Sequence, residues 1–536
     1  MGRHHGRLRL SVVLFFGMTF VRFAHPLTDG DIWWHLNTGR WIVEHGALPT
    51  ADPFTFTVSP EFADRARMSV QGNWLAQVLY YALFSAGGLQ ALRFFNAALF
   101  TTAAFAVYRL CRRGGLGEAW ALLFTSPFVA LAWHYDELRP FGFSVLFTAI
   151  TLLQLDKAET EDATPGRSLA ILIPVAVLWA NLHRGFALFY LLLAPATLIW
   201  ATGVRRRHAA WLTAAGLATL LNPGGFRPAL SAIEESLQGT AGFNVLELAK
   251  PWEFAALVPA AGSYLPLAAL LLAASVVALL LAGRHFPLAL LVSWVLFAGA
   301  GLTAFRYTIY FGIVATFVAA RGAARALAGT PTALERAGVA GALVASLALA
   351  ATSGPWLAEP IWSAQLPRDA VTVMVNNKLP APVLNPFDWG GYIAWNTGPH
   401  YRVFTDSRML DYTLMKKMQS SRGERPLLEE YAINTVIWPS LDHASLRVPR
   451  LVLELLQDPQ WTLVYYDRIA VLFVRSQVAP KTPRASAPAL AQALLDVVRY
   501  RANRAGGWTD GDRDAAGALA RVAAAGSSGS QDPGEH

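Results

Sequence analysis

Charged residues are scarce in this 536-residue chain: Asp, Glu, Lys and Arg together make up 15% of it. A soluble globular protein carries about 25%, so there are too few here to cover a water-exposed surface. Cysteine is nearly missing as well, with Cys111 alone, which excludes an intramolecular disulfide framework. The chain has no Walker-type phosphate loop, no zinc-ligand spacing, no Gly-x-Ser-x-Gly elbow and no dinucleotide fingerprint, and lacks the chemistry those motifs carry. What it has in abundance is apolar sequence, 54% hydrophobic residues with a mean hydropathy of +0.36. Much of it is gathered into runs of about 17–25 residues, the length that crosses a bilayer. The composition therefore predicts a polytopic α-helical membrane protein.

Eleven such runs read as spans, at 8–24, 89–111, 117–134, 140–155, 168–182, 185–203, 208–222, 264–282, 286–304, 307–324 and 336–353. The first follows Arg3, Arg7 and Arg9 but ends at Phe23-Ala24-His25, a poor cleavage site, and reads as an uncleaved helix. Basic residues set the orientation. With the N-terminus cytoplasmic, the inner turns hold Arg112 and Arg113, Lys157 and Arg167, Arg205 to Arg207, Arg284, and Arg321, Arg325 and Arg336. Placed there, the net charge of +8 reports topology and not nucleic-acid binding. The apolar stretch 75–87 is too short to span and reads as an interfacial or re-entrant helix.

The outer loops are the elaborate ones. Residues 25–74 form a long loop rich in Asp, His and Trp, and 223–263 form another with Glu234, Glu235, Glu247 and Glu253. Residues 1–353 thus read as the transmembrane domain. Residues 354–480 read as an extracytoplasmic α/β domain, with strand-like runs at 371–375, 401–404, 435–438 and 469–474. Beyond, 481–536 offers one amphipathic helix at 490–500 and then an Ala, Gly and Ser-rich tail expected to be mobile.

Polar chemistry concentrates on the outer face, most densely in Thr28-Asp29-Gly30-Asp31-Ile32-Trp33-Trp34-His35. Asp29 and Asp31 offer hard oxygen ligands that suit Mg²⁺ or Mn²⁺. Alternatively one serves as a general base beside the other, or the two simply favour a helix N-terminus. Trp33 and Trp34 form either a stacking platform for a sugar ring or an aromatic belt at headgroup depth. His35 lies four residues after Asp31, on the same helical face. His183, Arg184 and Arg306 are squeezed between long apolar runs, where an arginine marks an anionic ligand, an ion pair or a snorkelling side chain. A lipid phosphate fits the guanidinium fork. Arg139 stands beside Asp136 and Glu137, which offer it a local ion pair.

These residues sit in recognisable surroundings. Asp29-Gly30-Asp31-Ile32-Trp33-Trp34-His35-Leu36, with Thr38-Gly39-Arg40-Trp41-Ile42 and Ala51-Asp52-Pro53-Phe54-Thr55-Phe56-Thr57 downstream, resembles the GT-C superfamily of integral membrane glycosyltransferases, and its bacterial members in particular. Leu138-Arg139-Pro140, Trp179-Ala180-Asn181-Leu182-His183-Arg184-Gly185, Leu221-Asn222-Pro223 and Asp388-Trp389-Gly390-Gly391-Tyr392 extend the resemblance. It departs at Arg184, where a small residue is expected after the histidine. The resemblance implies an enzyme of a bacterial inner membrane and cell envelope, moving a sugar from a polyprenyl-phosphate donor to an extracytoplasmic lipid, glycan or protein acceptor. It implies that Asp29 or Asp31 activates the acceptor hydroxyl or holds a metal, and that His183, Arg184 or Arg306 meets the carrier phosphate. A transporter or flippase for a lipid-linked saccharide, or a non-catalytic envelope scaffold, would use the same Arg and Trp residues without needing the Asp pair.

Overall fold

The computed structural model describes residues 2–160, 165–202, 206–238, 249–258, 262–282, 286–329, 332–351, 365–420, 423–442, 445–478, 484–504 and 507–527. Arg205, Glu247, Arg284, the expected domain boundary at 353/354 and residues 528–536 lie outside them. By contact the chain divides into two compact units. One comprises residues 1–29, 38–48 and 68–361, the other 30–37, 49–67 and 362–536. The division differs from the expected one in that parts of the first outer loop, 30–37 and 49–67, fold with the C-terminal residues.

The first unit is a multi-pass membrane helix assembly. Every expected span coincides with helix: Gly2–Phe23, the second half of Trp74–Arg113, Glu118–Ala132, Phe141–Thr160, Pro165–Ala170 with Leu172–Leu182, Ala187–Ala201, Arg206–Ala218, Tyr264–Ala282, Leu288–Thr303, Thr308–Leu327 and Thr332–Ala351. Among the described residues, five helices are long and apolar enough to cross a bilayer, and three shorter apolar helices accompany them. The 75–87 stretch is helical too, and runs into the span after it as one 40-residue element. Gly87 and Gly88 break that element, Gly88 at φ +61° and ψ −156°, a conformation a side-chain-bearing residue rarely adopts. The break separates the short helix from the span, as the hydropathy predicts.

Helix Thr308–Leu327 runs through the middle of this unit, with residues 308–320 all buried. Just past that buried stretch Arg321 Nη1 donates to Asp156 Oδ1 at 2.6 Å, and Arg113 Nε donates to Asp156 Oδ2 at 2.6 Å. One buried carboxylate, 3% exposed, thereby ties three helices together. Two arginines on one carboxylate satisfy both oxygens, which a buried charge requires.

The second unit is built on a four-stranded mixed sheet in the order β1-β2-β4-β3. The strands are β1 (Val383–Leu384), β2 (Thr435–Pro439), β3 (Trp461–Tyr466) and β4 (Ala470–Arg475). β1 and β2 are parallel and the other pairs antiparallel. The run at 371–375, expected to be a strand, lies instead in helix Arg368–Asn376. Its β-branched residues mislead because burial follows the helical period, with Ala370, Val371 and Met374 on the covered face. Of the run 401–404 only Val403 pairs, in an isolated bridge to Thr55. The helix expected at 490–500 extends over Ala487–Arg504. The tail expected to be mobile forms a second helix, Asp510–Ser527. Alanine is the strongest helix former, and here Ala515, Ala518 and Leu519 are buried while Asp512 pairs with Arg501.

Candidate functional site

The acidic cluster of the first outer loop is divided between the two units, Asp29 in the first and Asp31 in the second. Within the first unit Asp29 is taken by Arg139. The guanidinium donates through Nε to Oδ2 and through Nη2 to Oδ1, the latter at 3.2 Å. Glu137 lies 3.4 Å from the same Nε. Of the two local partners the sequence offers Arg139, Glu137 is thus the one in ion-pair range. Asp136 instead faces His25, with Nε2 and Oδ2 2.8 Å apart. His25 Nδ1 lies 2.7 Å from the carbonyl of Pro26, so both ring nitrogens face acceptors. Burial opposes protonation of this imidazole, but the Asp136 carboxylate more than offsets it and holds the histidine above its usual range.

A Mg²⁺ or Mn²⁺ held by Asp29, as the sequence expects, would compete with Arg139 for both carboxylate oxygens. Among the described residues no group of three or more His, Cys, Asp or Glu side chains could hold a metal ion.

The turn between Leu172–Leu182 and Ala187–Ala201 holds His183 and Arg184. The turn is braced from two sides: Asn73 Oδ1 accepts from the Arg184 backbone N–H at 3.0 Å, and Trp74 Nε1 donates to Asn181 Oδ1 at 2.8 Å. Both arginine charges, of Arg184 and of Arg306, lie near enough to act on His183. Arg306 Nη2 reaches the hydroxyl of Tyr307 at 3.2 Å. His183 and Arg184 on one turn and Arg306 on another thus come near one another in the first unit. What the sequence did not single out is Ser144, whose hydroxyl lies 2.6 Å from His183 Nδ1. A lone serine inside an apolar run carries no signal of its own.

In the second unit, Asp31 directly precedes helix Ile32–His45, at the partly positive N-terminal end where acidic side chains are favoured. Trp33 and Trp34 are 6% and 8% exposed and His35 2%. These indoles form neither an open sugar platform nor an aromatic belt. Trp33 packs edge-on against Tyr392 with ring centroids 5.2 Å apart and tilts against Trp395, while Trp34 lies on His35 at 3.6 Å. Both faces are spent on the fold, and the first turn of the helix is held in place by them.

The partner surface for these indoles is the Asp388–Tyr392 stretch, which forms a 3-10 turn and the start of helix Gly390–Thr397. A Cβ on Gly390 would come within 2.0 Å of the Thr405 carbonyl oxygen, and one on Gly391 within 3.1 Å of the Trp34 backbone nitrogen. The two glycines are therefore required by close backbone approach, and Asn37 Nδ2 adds a hydrogen bond to the Gly391 carbonyl at 3.1 Å. Below them lies a network that the sequence did not reveal. Arg408, with its side chain 1% exposed, donates to Asp406 Oδ1 at 2.9 Å and to Asp52 Oδ1 at 2.7 Å. Its guanidinium also lies 5.7 Å from the Trp34 ring and 5.6 Å from Phe54.

No family model matches this chain, and no curated protein matches it by sequence. Solved structures do match by fold. ArnT from Cupriavidus metallidurans bound to undecaprenyl phosphate is similar at a TM-score of 0.50 and 12% identity, over 87% of this chain and 98% of that one. The Archaeoglobus fulgidus oligosaccharyltransferase, tethered to an acceptor peptide, is similar at 0.50 and 13%, over 80% and 69%. The mycobacterial arabinofuranosyltransferase AftD is similar at 0.55 and 17%, over 87% of this chain but only 41% of that longer one. All three are GT-C glycosyltransferases, and the fold of this chain is GT-C-like.

Proposed function

We propose that this protein is a membrane glycosyltransferase that moves a sugar from a polyprenyl-phosphate donor to an extracytoplasmic acceptor. The observation that carries the reading is the grouping of His183, Arg184 and Arg306 on a GT-C-like fold. Two guanidiniums beside one imidazole suit a phosphate, and one of the similar structures holds undecaprenyl phosphate. We further place the chain in a bacterial inner membrane with a cytoplasmic N-terminus and residues 354–536 in the cell envelope. Fusions of a reporter at residues 115, 160, 240 and 480 test that orientation, and it falls if 240 and 480 are cytoplasmic.

In the proposed step Asp31 accepts the proton of the acceptor hydroxyl. That oxygen bonds to the anomeric carbon, and the bond to the carrier phosphate breaks with its electron pair leaving on the phosphate. General-base assistance of this kind contributes about 10²- to 10⁴-fold. Asp29 is the poorer candidate for the base in that Arg139 engages both of its oxygens. In an assay with polyprenyl-phosphate sugars, Asp31→Asn lowers turnover by orders of magnitude with the fold intact, while Asp29→Asn weakens donor or metal binding more than chemistry. Near-parental transfer by Asp31→Asn refutes the base assignment. If the parent transfers no sugar from any donor, a flippase for lipid-linked saccharides or a scaffold becomes the better reading.

A further inference from the structure

The short helix that runs from Trp74 to the break at Gly87 and Gly88 carries a glutamine whose polar atoms are left over. Gln77 is fully buried, at 0% exposure, and neither its Oε1 nor its Nε2 has a hydrogen-bond partner among the described residues. A buried carboxamide without partners costs free energy that the fold does not recover. Its neighbours along the helix show where it lies. Asn73, one turn before it, accepts from the Arg184 backbone N–H at 3.0 Å. A Cβ on Gly72 would sit 3.3 Å from Arg184 Cβ and 3.5 Å from its Cδ. Tyr80, almost one turn after it, has its ring 6.3 Å from that of Phe143, the residue before the Ser144 that meets His183 Nδ1. Positions 73, 77 and 80 share one helix face, so Gln77 stands between the Arg184 contact and the Phe143 contact. The backbone there is fixed, since a Cβ on Gly39 would lie 2.1 Å from the Gln77 carbonyl oxygen. What can turn toward a ligand is the long side chain itself.

We propose that Gln77 is a specificity-determining residue that reads neighbouring hydroxyls of the sugar on the carrier phosphate. The inference rests on the phosphate reading of Arg184 and Arg306 given above and adds to it what recognises the sugar. The chemistry of the carboxamide selects the ligand. Oε1 only accepts and Nε2 only donates. A phosphate diester has acceptors alone and satisfies Nε2 only, whereas sugar hydroxyls both donate and accept and satisfy the two atoms together. A site that strands a buried polar group when the right hydroxyl is missing discriminates more strongly than an apolar pocket does.

The test measures binding to the full chain in nanodiscs, with bare undecaprenyl phosphate and the same carrier linked to glucose, mannose or arabinose as probes. The parent holds at least one sugar-linked carrier more tightly than the bare one. Gln77→Met, close in length but without the amide, weakens that binding about tenfold, the size of one or two hydrogen bonds, and leaves the affinity for the bare carrier unchanged. Its Tm equals or exceeds that of the parent, because an unpartnered buried amide has been removed. A Tm several degrees lower overturns the premise that the amide has no structural partner. Equal loss of bare and sugar-linked carriers overturns the sugar role. So does parental affinity for the sugar-linked carriers in Gln77→Met, or a parent that holds none of them above the bare one. A parent that binds neither form of the carrier overturns the phosphate reading itself, and this inference with it.

Discussion

Arg408→Met isolates the energetics of the second unit. In the native fold this guanidinium satisfies Asp52 and Asp406, whose side chains are 3% and 1% exposed. Methionine fills a similar volume but leaves two carboxylates buried near one another with no counter-charge. Removing one partner of a buried ion pair costs about 3–5 kcal/mol, and the lost contacts to Trp34 and Phe54 add about 0.5–2 kcal/mol. Taking about 4 kcal/mol as the lower working figure, at about 2–4 °C of Tm per kcal/mol for a domain of this size, the shift is roughly 8–16 °C downward. Thermal unfolding of the detergent-solubilised chain, followed by tryptophan fluorescence, reads it. The triple variant with Asp52→Asn and Asp406→Asn should recover most of the loss, because the stranded charges are then gone. A shift under about 2 °C for the single variant, or a triple variant less stable than the single, refutes the reasoning.

Three further outcomes are expected. Gly390→Ala drives a methyl to within 2.0 Å of the Thr405 carbonyl and should destabilise the second unit by several kcal/mol, on the order of a severe overpacking; a folded variant with unchanged Tm contradicts the close-approach argument. Burial lowers the His25 pKa, but Asp136 more than offsets this and raises it above the ordinary value, so its folded-state pKa exceeds its unfolded one. The stability it contributes is complete below about pH 6.5 and is lost as pH rises through the raised folded value; a parent-minus-His25→Gln stability difference that grows above neutrality would be the wrong sign. Truncation after residue 509 removes the helix that buries Leu519 and pairs Asp512 with Arg501, and should lower Tm, whereas an unchanged melt would restore the dispensable-tail expectation.

The helical unit was readable because a bilayer demands long apolar runs, and those runs begin and end near the helices found. The α/β unit was less so. Composition suggested strands at 371–375, but short apolar runs are ambiguous between helix and strand until burial settles the period. Position was the legible part of the site. His183, Arg184 and Arg306 were picked out as polar residues in apolar surroundings, and Asp29 as part of a dense polar cluster in the first outer loop. Their partners were not, since Arg139 lies 110 residues from Asp29 and Ser144 39 from His183. The misreading of Trp33 and Trp34 has the same origin. An indole beside a membrane span looks interfacial in sequence, and only the glycine pair across from it, more than 350 residues away, shows that it is packed.

The carboxylate that joins three helices also fixes an order of events during synthesis. Arg113 is already made when Asp156 emerges, but Arg321 follows 165 residues later, roughly ten to thirty seconds at about 5–20 residues per second. Through that interval Asp156 is balanced by a single arginine, and the early helices can settle as a neutral pair. Arrival of the second arginine converts the pair into a cationic knot and recruits helix Thr308–Leu327 to a place already prepared for it. The central helix of the unit is therefore among the last to be seated, and a nascent chain stalled before residue 321 should hold its earlier helices in a looser, exchangeable arrangement.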